Sequence, residues 1–326
     1  MNELTPERER AIRHVLQHCG SVRTGESVLI LCNPETRDLA EAFRKSAESC
    51  TDSGRLVEMP FSASHGQEPS GEAREAMLGA ALTISLCVYS LAHSAARVEA
   101  ARNGGRFLSL PLYSWKLLDD PALVIDYRAR RPDVDRVVGA LTAGARARVT
   151  GPAGTDVELR LEHRQGNAAP GYVERAGDMG SPPDVEANIA PIEDGTRGVI
   201  VADGSITTPE IGLLESPLRL EVEGGRVRRV SGARADYAET LERLLGGADS
   251  ARRVVGELGV GLNPVARLTG CMLTDEGCMG CIHFGLGSNA TIGGCNNAGY
   301  HLDVIVRSAR LEVDGRTVLN GGRVMV

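Results

Sequence analysis

Two histidines and a group of carboxylates in the last quarter of the sequence have the residue types of a metal site. They are His283, His301, Asp303, Glu257 and the pair Asp275–Glu276. Imidazole nitrogens and carboxylate oxygens suit Zn, Mn, Co or Fe(II), and two histidines with one carboxylate is the arrangement that non-haem Fe(II) oxygenases use. The stretch therefore predicts a divalent metal centre with open positions for chemistry.

The spacing of His301 and Asp303 has a geometric consequence. Side chains at i and i+2 of a β-strand share a face, so both would point to one site while Leu302 turns to the core. The apolar run 304–306 favours a strand here. A surface hydrogen-bonded pair, or a histidine satisfied within the core, is the alternative that the spacing alone leaves open.

The N-terminal part of the chain alternates short apolar strands with helical segments. Strands are predicted over 27–32, 55–59, 82–88 and 106–110, and helices over 5–18, 36–49, 72–80 and 92–103. This alternation indicates parallel strands joined by right-handed crossovers. No GxGxxG or GxxxxGK[ST] motif follows these strands, so the sequence does not support dinucleotide or P-loop binding.

The character of the sequence changes near residue 145. Short alternating runs separated by glycine-rich turns follow, with one helix predicted over 234–247. We therefore predict an α/β plus α+β protein with two domains. An open parallel-sheet α/β domain would span 1–145, and a β-rich, metal-binding catalytic domain would span 146–326.

Composition excludes several classes of function. The net charge of −7 argues against a protein that binds nucleic acid through phosphate neutralisation. No apolar run approaches the roughly 20 residues of a membrane span, and the charged N-terminus is unlike a signal peptide, so we predict a cytoplasmic protein without membrane contact. Aromatic residues make up only 3% of the 326 residues, so the cores must be aliphatic.

Four segments together resemble a known family. They are SLAHSAAR (90–97), PDVEANIAP (183–191), GELGVGLNP (256–264) and the run DEGCMGCIHFGLGSNATIGGCNNAGYHLD (275–303). They are similar, in order, to segments of the family that joins aminopeptidase T-type metallopeptidases, often named leucyl aminopeptidases, to Fe(II)-dependent 2,5-dihydroxypyridine 5,6-dioxygenases. One departure is Val185, which stands where the family usually has glycine.

The resemblance implies a ligand set. His283, His301 and Asp303 would bind the metal, with Glu186 and Glu257 as further carboxylates at or beside it. Buried acids of this number would repel one another unless a cation neutralised them, so a divalent metal suits the group. The resemblance also implies that the chain assembles as a homo-oligomer.

Further residues receive expected roles around these ligands. By resemblance, Glu276 would act beside the metal or bind a second one, and His93 would reach the site from the first domain as an acid, a base or a substrate-orienting group. Arg97 would bind a substrate carboxylate or pair with a local acid. Phe284 and Tyr300 adjoin two of the proposed ligands and, since aromatic residues are scarce, are candidates for binding a planar substrate.

Two reactions fit the same ligands. Aminopeptidases of the family carry a tyrosine shortly after the first ligand histidine, but here Ala290 stands in its place. This favours a dioxygenase branch in which Fe(II), O2 and a small hydroxylated aromatic or heteroaromatic metabolite react. The alternative is an aminopeptidase or amide hydrolase that uses Zn, Co or Mn, with Tyr300 supplying the phenol; a metal-dependent lyase or an inactive relative is a lesser one.

The cysteines allow a different hypothesis, in which the metal site is structural and the protein is not an enzyme. Four of them, Cys271, Cys278, Cys281 and Cys295, could form a structural zinc or iron–sulfur site in a non-catalytic protein that binds a small ligand. Their spacing contains a single CxxC, which weakens this hypothesis. We expect instead small buried residues that tune the site or are sensitive to oxidation.

Overall fold

The computed structural model describes residues 3–51, 53–60, 67–92 and 94–326. The first elements are α1 (Pro6–His14), a π-helical segment (Val15–Cys19), β1 (Ser27–Cys32), α2 (Arg37–Ala47), β2 (Ser53–Glu58), α3 (Gly71–Leu78), β3 (Leu82–Ser85), α4 (Ala95–Arg102) and β4 (Arg106–Ser109). Among these and all other described helices, none has the length and apolar character needed to cross a membrane.

The remaining elements are mostly strands. They are α5 (Arg131–Ala143), β5 (Arg146–Thr150), β6 (Asp156–Arg160), β7 (Gly166–Ala169), β8 (Met179–Gly180), β9 (Glu186–Ile189), β10 (Arg197–Ala202), β11 (Ser205–Ile206), β12 (Gly212–Leu213), β13 (Leu218–Glu223), β14 (Arg226–Gly232), α6 (Ala235–Leu245), β15 (Val255–Gly261), α7 (Met272–Asp275), β16 (Ile282–Gly287), β17 (His301–Val306), β18 (Arg310–Val313), β19 (Arg316–Asn320) and β20 (Arg323–Val324).

The chain divides into two compact units. The first consists of Met1–Arg128 and Gly171–Pro183, and the second of Ala129–Pro170 and Asp184–Val326. The sequence placed the division near residue 145, whereas the packing places it at residue 128 and returns one later segment to the first unit. Helix α5 consequently belongs to the second unit.

The first unit contains a five-stranded parallel sheet in the order β2-β1-β3-β4-β8. Strand β1 occupies the predicted residues, and its side chains are almost all buried, as expected for a strand covered on both faces. Helix α1 begins where Thr5 caps it, since the Thr5 hydroxyl accepts a hydrogen bond from the Arg8 amide. The predicted open parallel α/β architecture is confirmed.

The second unit contains two antiparallel sheets and confirms the predicted β-rich character. The eight-stranded sheet has the order β14-β13-β10-β6-β5-β18-β19-β20, and the seven-stranded sheet has the order β12-β11-β17-β16-β15-β9-β7. Helix α5 was not expected from the sequence. It buries Val134, Val137 and Leu141 and packs against β7 and β9, so tertiary burial outweighs the weak helix propensity of its valines and of Gly139.

The central strands of the seven-stranded sheet have one apolar face. The fully buried residues on it are Ile189, Leu258, Val260, Ile282, Phe284, Leu286 and Val304. Cross-strand register aligns these residues, since Phe284 lies opposite both Leu258 and Val304. The alternate residues of the same strands therefore lie together on the opposite face.

Candidate metal centre

The second face of the seven-stranded sheet collects ionisable side chains from four neighbouring strands. They are Glu186 on β9, Glu257 on β15, His283 on β16, and His301 and Asp303 on β17. Four of the five are buried, and only His301 is substantially exposed, with 35% of its side chain accessible. The site is consequently a buried cluster of ionisable groups, and His301 is its most accessible member.

Glycines opposite these residues give the imidazoles room to lie across the sheet. Gly259 faces His283 across the β15–β16 pair, and a Cβ at Gly259 would stand 1.9 Å from His283 Nε2. A Cβ at Gly285, which faces Asp303, would lie 2.5 Å from His301 Cε1. Glycine is therefore required sterically at both positions, and its alternation along β15 and β16 is a signal of the site that the sequence already contains.

The predicted pairing of His301 with Asp303 is confirmed. His301 Nε2 lies 3.0 Å from Asp303 Oδ1, while Leu302 between them is buried in the core. The strand alternation thus brings both groups to one face. The surface-pair alternative does not apply, because Asp303 is 1% exposed.

Glu257 lies between the two histidines. Its Oε2 is 3.2 Å from His301 Nε2, and its Oε1 is 3.8 Å from His283 Nε2. His283 Nε2 also lies 3.2 Å from Glu186 Oε2. Glu257 therefore belongs both to a possible metal-binding group with Glu186 and His283 and to one with His301 and Asp303.

A third possible metal-binding group contains only acids. Asp184, Glu186 and Glu276 place carboxylate oxygens within 4.8 Å of one another. The position of Asp184 in this group was not predicted from the sequence, since Asp184 precedes β9 and strand alternation does not place it there. Asp275 instead has a structural role, since it accepts hydrogen bonds from Ser205 Oγ and from backbone amides.

Hydrogen bonds orient the groups that face the site. Ser288 O lies 3.0 Å from His301 Nδ1, and because a carbonyl can only accept, Nδ1 carries the proton and Nε2 faces the acids. Asn188 donates its amide to Glu186 Oε1 at 2.7 Å, which leaves Oε2 directed at His283. Thr207 Oγ1 lies 3.3 Å from Asp303 Oδ2.

The electrostatics of the histidines follow from the surrounding acids. Loss of hydration would lower the pKa of His283, but Glu186 and Glu257 reverse this and raise it well above its ordinary value. Asp303 and Glu257 likewise raise the pKa of His301 against its loss of hydration. Both imidazoles therefore carry protons when no metal ion competes for their Nε2 atoms.

The acids divide into two groups. Burial, followed by repulsion from Glu186, raises the pKa of Asp184 well above its usual range, and burial with the charge of Asp303 does the same for Glu276. Burial opposes ionisation of Glu257 too, yet hydrogen bonds from the histidines hold its pKa at about 2. Without a metal ion, protons thus supply the positive charge that the cluster requires.

The residues fit a divalent metal ion. Asp184 Oδ1 and His283 Nδ1 are buried without a hydrogen-bond partner, which is costly for polar atoms. The possible metal-binding groups in the described part of the chain contain only histidine and carboxylate ligands. This donor set suits Fe(II), Mn, Co or Zn, and a divalent cation would offset the excess of acids.

Phe284 and Tyr300 were both predicted to contact a planar substrate, and the structure places them differently. Phe284 is fully buried on the apolar face, because strand alternation turns it away from its neighbour His283. It packs in the core, so its predicted role in binding a substrate is corrected. The ring of Tyr300 lies 4.7 Å from the guanidinium of Arg252, and its contact with a substrate remains a prediction.

The roles predicted for two residues of the first domain are not tested by the described structure. His93 lies outside the described residues. Arg97 lies in α4 of the first unit, where its Nε donates a hydrogen bond to Ala92 O. Roles for both remain predictions.

The four cysteines considered for a separate metal site are free thiols. Cys278 and Cys281 are buried, Cys271 is partly buried and Cys295 is exposed. None of them belongs to a possible metal-binding group in the described part of the chain. The expectation of small, buried sulfur side chains holds for Cys278 and Cys281.

Comparison with known proteins gives consistent results. A family model described as NicX, 2,5-dihydroxypyridine 5,6-dioxygenase, matches residues 8–326. A protein named 2,5-dihydroxypyridine 5,6-dioxygenase from Pseudomonas putida is 26% identical over an alignment of 249 residues, and the match covers 72% of this chain and 69% of that protein.

Two solved structures share the fold. The 2,5-dihydroxypyridine dioxygenase from Pseudomonas putida superposes with a TM-score of 0.83 at 20% identity, covering 99% of both chains. AmpT from Thermus thermophilus superposes with a TM-score of 0.69 at 16% identity, covering 98% of this chain and 99% of that one. The predicted resemblance, closer to the dioxygenase than to the aminopeptidase, is confirmed.

Proposed function

Because the chain belongs to the NicX family of 2,5-dihydroxypyridine 5,6-dioxygenases, we propose that it is an Fe(II)-dependent dioxygenase. Its substrate class would be a small dihydroxylated pyridine or a similar hydroxylated ring, opened with O2. The observation that carries the proposal is the sheltered group of two histidines and several carboxylates on one face of a sheet. Such ligands with open positions are those of non-haem iron oxygenases.

We assign the metal to His283, His301 and Asp303, with Glu257 as a fourth group. The Nε2 atoms of both histidines face Glu257, and Asp303 lies on the His301 side of it. When bound, Fe(II) supplies the one-electron chemistry that allows O2 to react with the ring. Substrate and O2 would enter beside His301, the exposed member of the group.

The surrounding acids would accept and donate protons during the reaction. Glu186 Oε2 is buried beside His283 Nε2, so it would become an acceptor for a substrate hydroxyl once a metal ion takes the place of the proton on Nε2. Burial and the charge of Asp303 raise the pKa of Glu276 well above its usual range, so Glu276 would serve as a proton donor near Asp303. His93 and Arg97 would add a proton-transfer group and an anchor for a substrate carboxylate, and the chain would work as a homo-oligomer.

The test is O2 uptake by protein loaded anaerobically with Fe(II). We expect uptake with 2,5-dihydroxypyridine that depends on the ring and on the metal, and little uptake with the pyridine that lacks both hydroxyls. His283→Ala should abolish it. Uptake that is absent with dihydroxylated pyridines and aminophenols alike, from protein that retains Fe(II), would refute the proposed reaction but not the metal site.

A metal-dependent hydrolase is the second candidate. The acid cluster of Asp184, Glu186 and Glu276 could accept a second cation next to the histidines, and paired metals are typical of aminopeptidases. This alternative predicts two Zn, Co or Mn ions per chain and hydrolysis of aminoacyl-anilides without O2. One Fe(II) per chain with O2-dependent turnover would exclude it.

A further inference from the structure

A cavity of about 420 Å³ lies at the turn between α7 and β16, and the proposed function makes no use of it. The residues that line it include Cys278, Cys281, Arg267 and Arg307. Two nucleophilic side chains and two cationic ones thus share one opening. All four belong to the second unit.

The backbone places the two cysteines at a distance suitable for a disulfide. Cys281 N donates a hydrogen bond to Cys278 O at 3.0 Å, and Gly280 between them has a φ of +87°. This is a tight turn with glycine at the position that needs positive φ, and the Cα atoms at the ends of such a turn lie within about 7 Å. Disulfides span Cα separations of roughly 4.4–6.8 Å.

Both cysteines lie at the cavity wall with a small exposed fraction. The Cys278 thiol donates a hydrogen bond to Ala266 O at 3.3 Å. Relative exposure is 9% for Cys278 and 6% for Cys281, and both line the open cavity. A small reagent bound in the cavity would therefore lie against these two residues.

The arginines indicate the charge of the reagent. Arg267 and Arg307 are exposed, and neither forms an ion pair with a residue that the structure describes. Guanidinium groups without a protein partner favour an anionic ligand, above all one that carries carboxylates. The cavity thus combines a reducing pair with an anion-binding wall.

We propose that this cavity is a thiol–disulfide exchange site for anionic, carboxylate-bearing low-molecular-weight disulfides. One protein thiolate attacks a sulfur of the small disulfide, forming a mixed disulfide and releasing the first small thiolate, which takes up the proton lost by the attacking thiol. The second cysteine then attacks the mixed disulfide and releases the second small thiol with its proton. The protein is oxidised to a Cys278–Cys281 disulfide, and the small disulfide is reduced to two thiols.

The turn also connects Glu276 to His283 along the chain. The carbonyl oxygens of Glu276 and Cys278 pack directly on Gly261 of β15, where a Cβ would stand 2.7 Å and 2.3 Å from them. A disulfide closed in this turn would therefore lie in the backbone segment between Glu276 and His283.

The experiment compares two disulfides of opposite charge on the reduced, full-length chain. Glutathione disulfide is anionic and cystamine is cationic, and intact mass with peptide mapping follows the products. With glutathione disulfide we expect loss of two hydrogens and a cross-link within 278–281. The preference for glutathione disulfide over cystamine should exceed about tenfold relative to the same ratio at exposed Cys295.

Variants separate the two parts of the proposal. Cys281→Ser should retain a mixed disulfide at Cys278, and Cys295→Ser should leave the cross-link unaffected. Arg267→Ser with Arg307→Ser should abolish the charge preference, whereas Arg307→Lys should largely retain it. Cysteines 278 and 281 that stay reduced while Cys295 reacts, or a charge preference that persists without both arginines, would overturn the proposal.

Discussion

The carboxylates on the two antiparallel sheets of the second unit have different ion-pair partners. On the eight-stranded sheet, acids pair with arginines at the surface: Arg148 lies 2.8 Å from Asp156, and Arg197 lies 2.7 Å from Glu158. About half or more of each of these side chains is exposed. Their charges are neutralised in place, and such pairs contribute at most about 1 kcal/mol each.

On the seven-stranded sheet, the acids have no such partners. Among the described residues, the ion pairs of Glu186, Glu257 and Asp303 are formed only with His283 and His301. Histidine can give up its proton and bind a metal ion through the same nitrogen, which arginine cannot do. The difference teaches that acids surrounded by histidine remain available to a cation, whereas acids paired with arginine do not.

The largest effect should come from removing one of these histidines. His301→Ala deletes a proposed ligand and leaves Glu257 and Asp303 without that neighbour, so metal affinity should fall more than about 100-fold. Metal content of the purified protein and O2 uptake measure it. His163→Asn is the matched control, because His163 is exposed at a positive φ that asparagine tolerates. Turnover by His301→Ala within tenfold of the unaltered protein would contradict this assignment.

A methyl group on the sheet tests whether the glycines serve the site. Gly259→Ala would bring Cβ to 1.9 Å from His283 Nε2, so the imidazole must move, and metal affinity should drop roughly 10- to 100-fold. Gly139→Ala in α5, where nothing lies within 4 Å, should instead stabilise the fold by about 0.5–1 kcal/mol. Equal metal affinity in Gly259→Ala and Gly139→Ala, by calorimetric titration, would refute the steric role.

Glu193 pairs with an arginine, like the acids of the eight-stranded sheet, but its side chain is only 21% exposed. It pairs with Arg164 and accepts hydrogen bonds from Asn289 Nδ2 at 3.0 Å and from Cys295 N at 2.7 Å. Burial opposes its ionisation, but these bonds lower its pKa to about 2. Since its folded pKa is below the unfolded value, its contribution to stability is complete above about pH 4.5 and is lost as pH falls toward 2.

Glu193→Gln should therefore reduce the free energy of unfolding by about 1 kcal/mol at pH 7, a value discounted for solvent screening. The deficit should shrink as the pH is lowered below about 4.5. Urea unfolding at several pH values measures it, with Glu221→Gln, at a side chain that is 44% exposed, as the control. A deficit that grows on acidification would have the wrong sign for this explanation.

The smallest effect belongs to the surface pairs. Arg148→Ala should change the free energy of unfolding by less than about 1 kcal/mol, with no change in metal content. Thermal unfolding at low and high salt checks this, and salt should reduce the difference further. A loss above about 2 kcal/mol would show that the eight-stranded sheet depends on its ion pairs after all.

Local spacing predicted part of this structure well. Strand β1 and the shared face of His301 and Asp303 follow from apolar runs and i, i+2 alternation. The same alternation places Phe284 in the core, although its neighbour in sequence is a proposed ligand. A strand residue next to a ligand in the sequence therefore need not lie at the site, because adjacent side chains point to opposite faces of the sheet.

The rest of the structure depends on contacts between elements that are distant in the sequence. Glu186 joins the site because β9 pairs with β15, which lies far along the chain, and Asp184 follows it there. Only the resemblance indicated Glu186 in advance, since strand partners cannot be read from local pattern. Helix α5 was missed for a related reason, because it is stabilised by packing against β7 and β9 rather than by its own propensity.

The most direct test is an anaerobic titration of metal-free protein with Fe(II), with released protons counted alongside heat. Saturable binding is predicted, with proton release, because Fe(II) must displace protons from the imidazoles and from the acids with raised pKa. Glu257→Gln, which removes the carboxylate shared by both histidine groups, should weaken binding strongly. Absence of saturable binding, or equal binding by Glu257→Gln, would contradict a metal centre on this sheet.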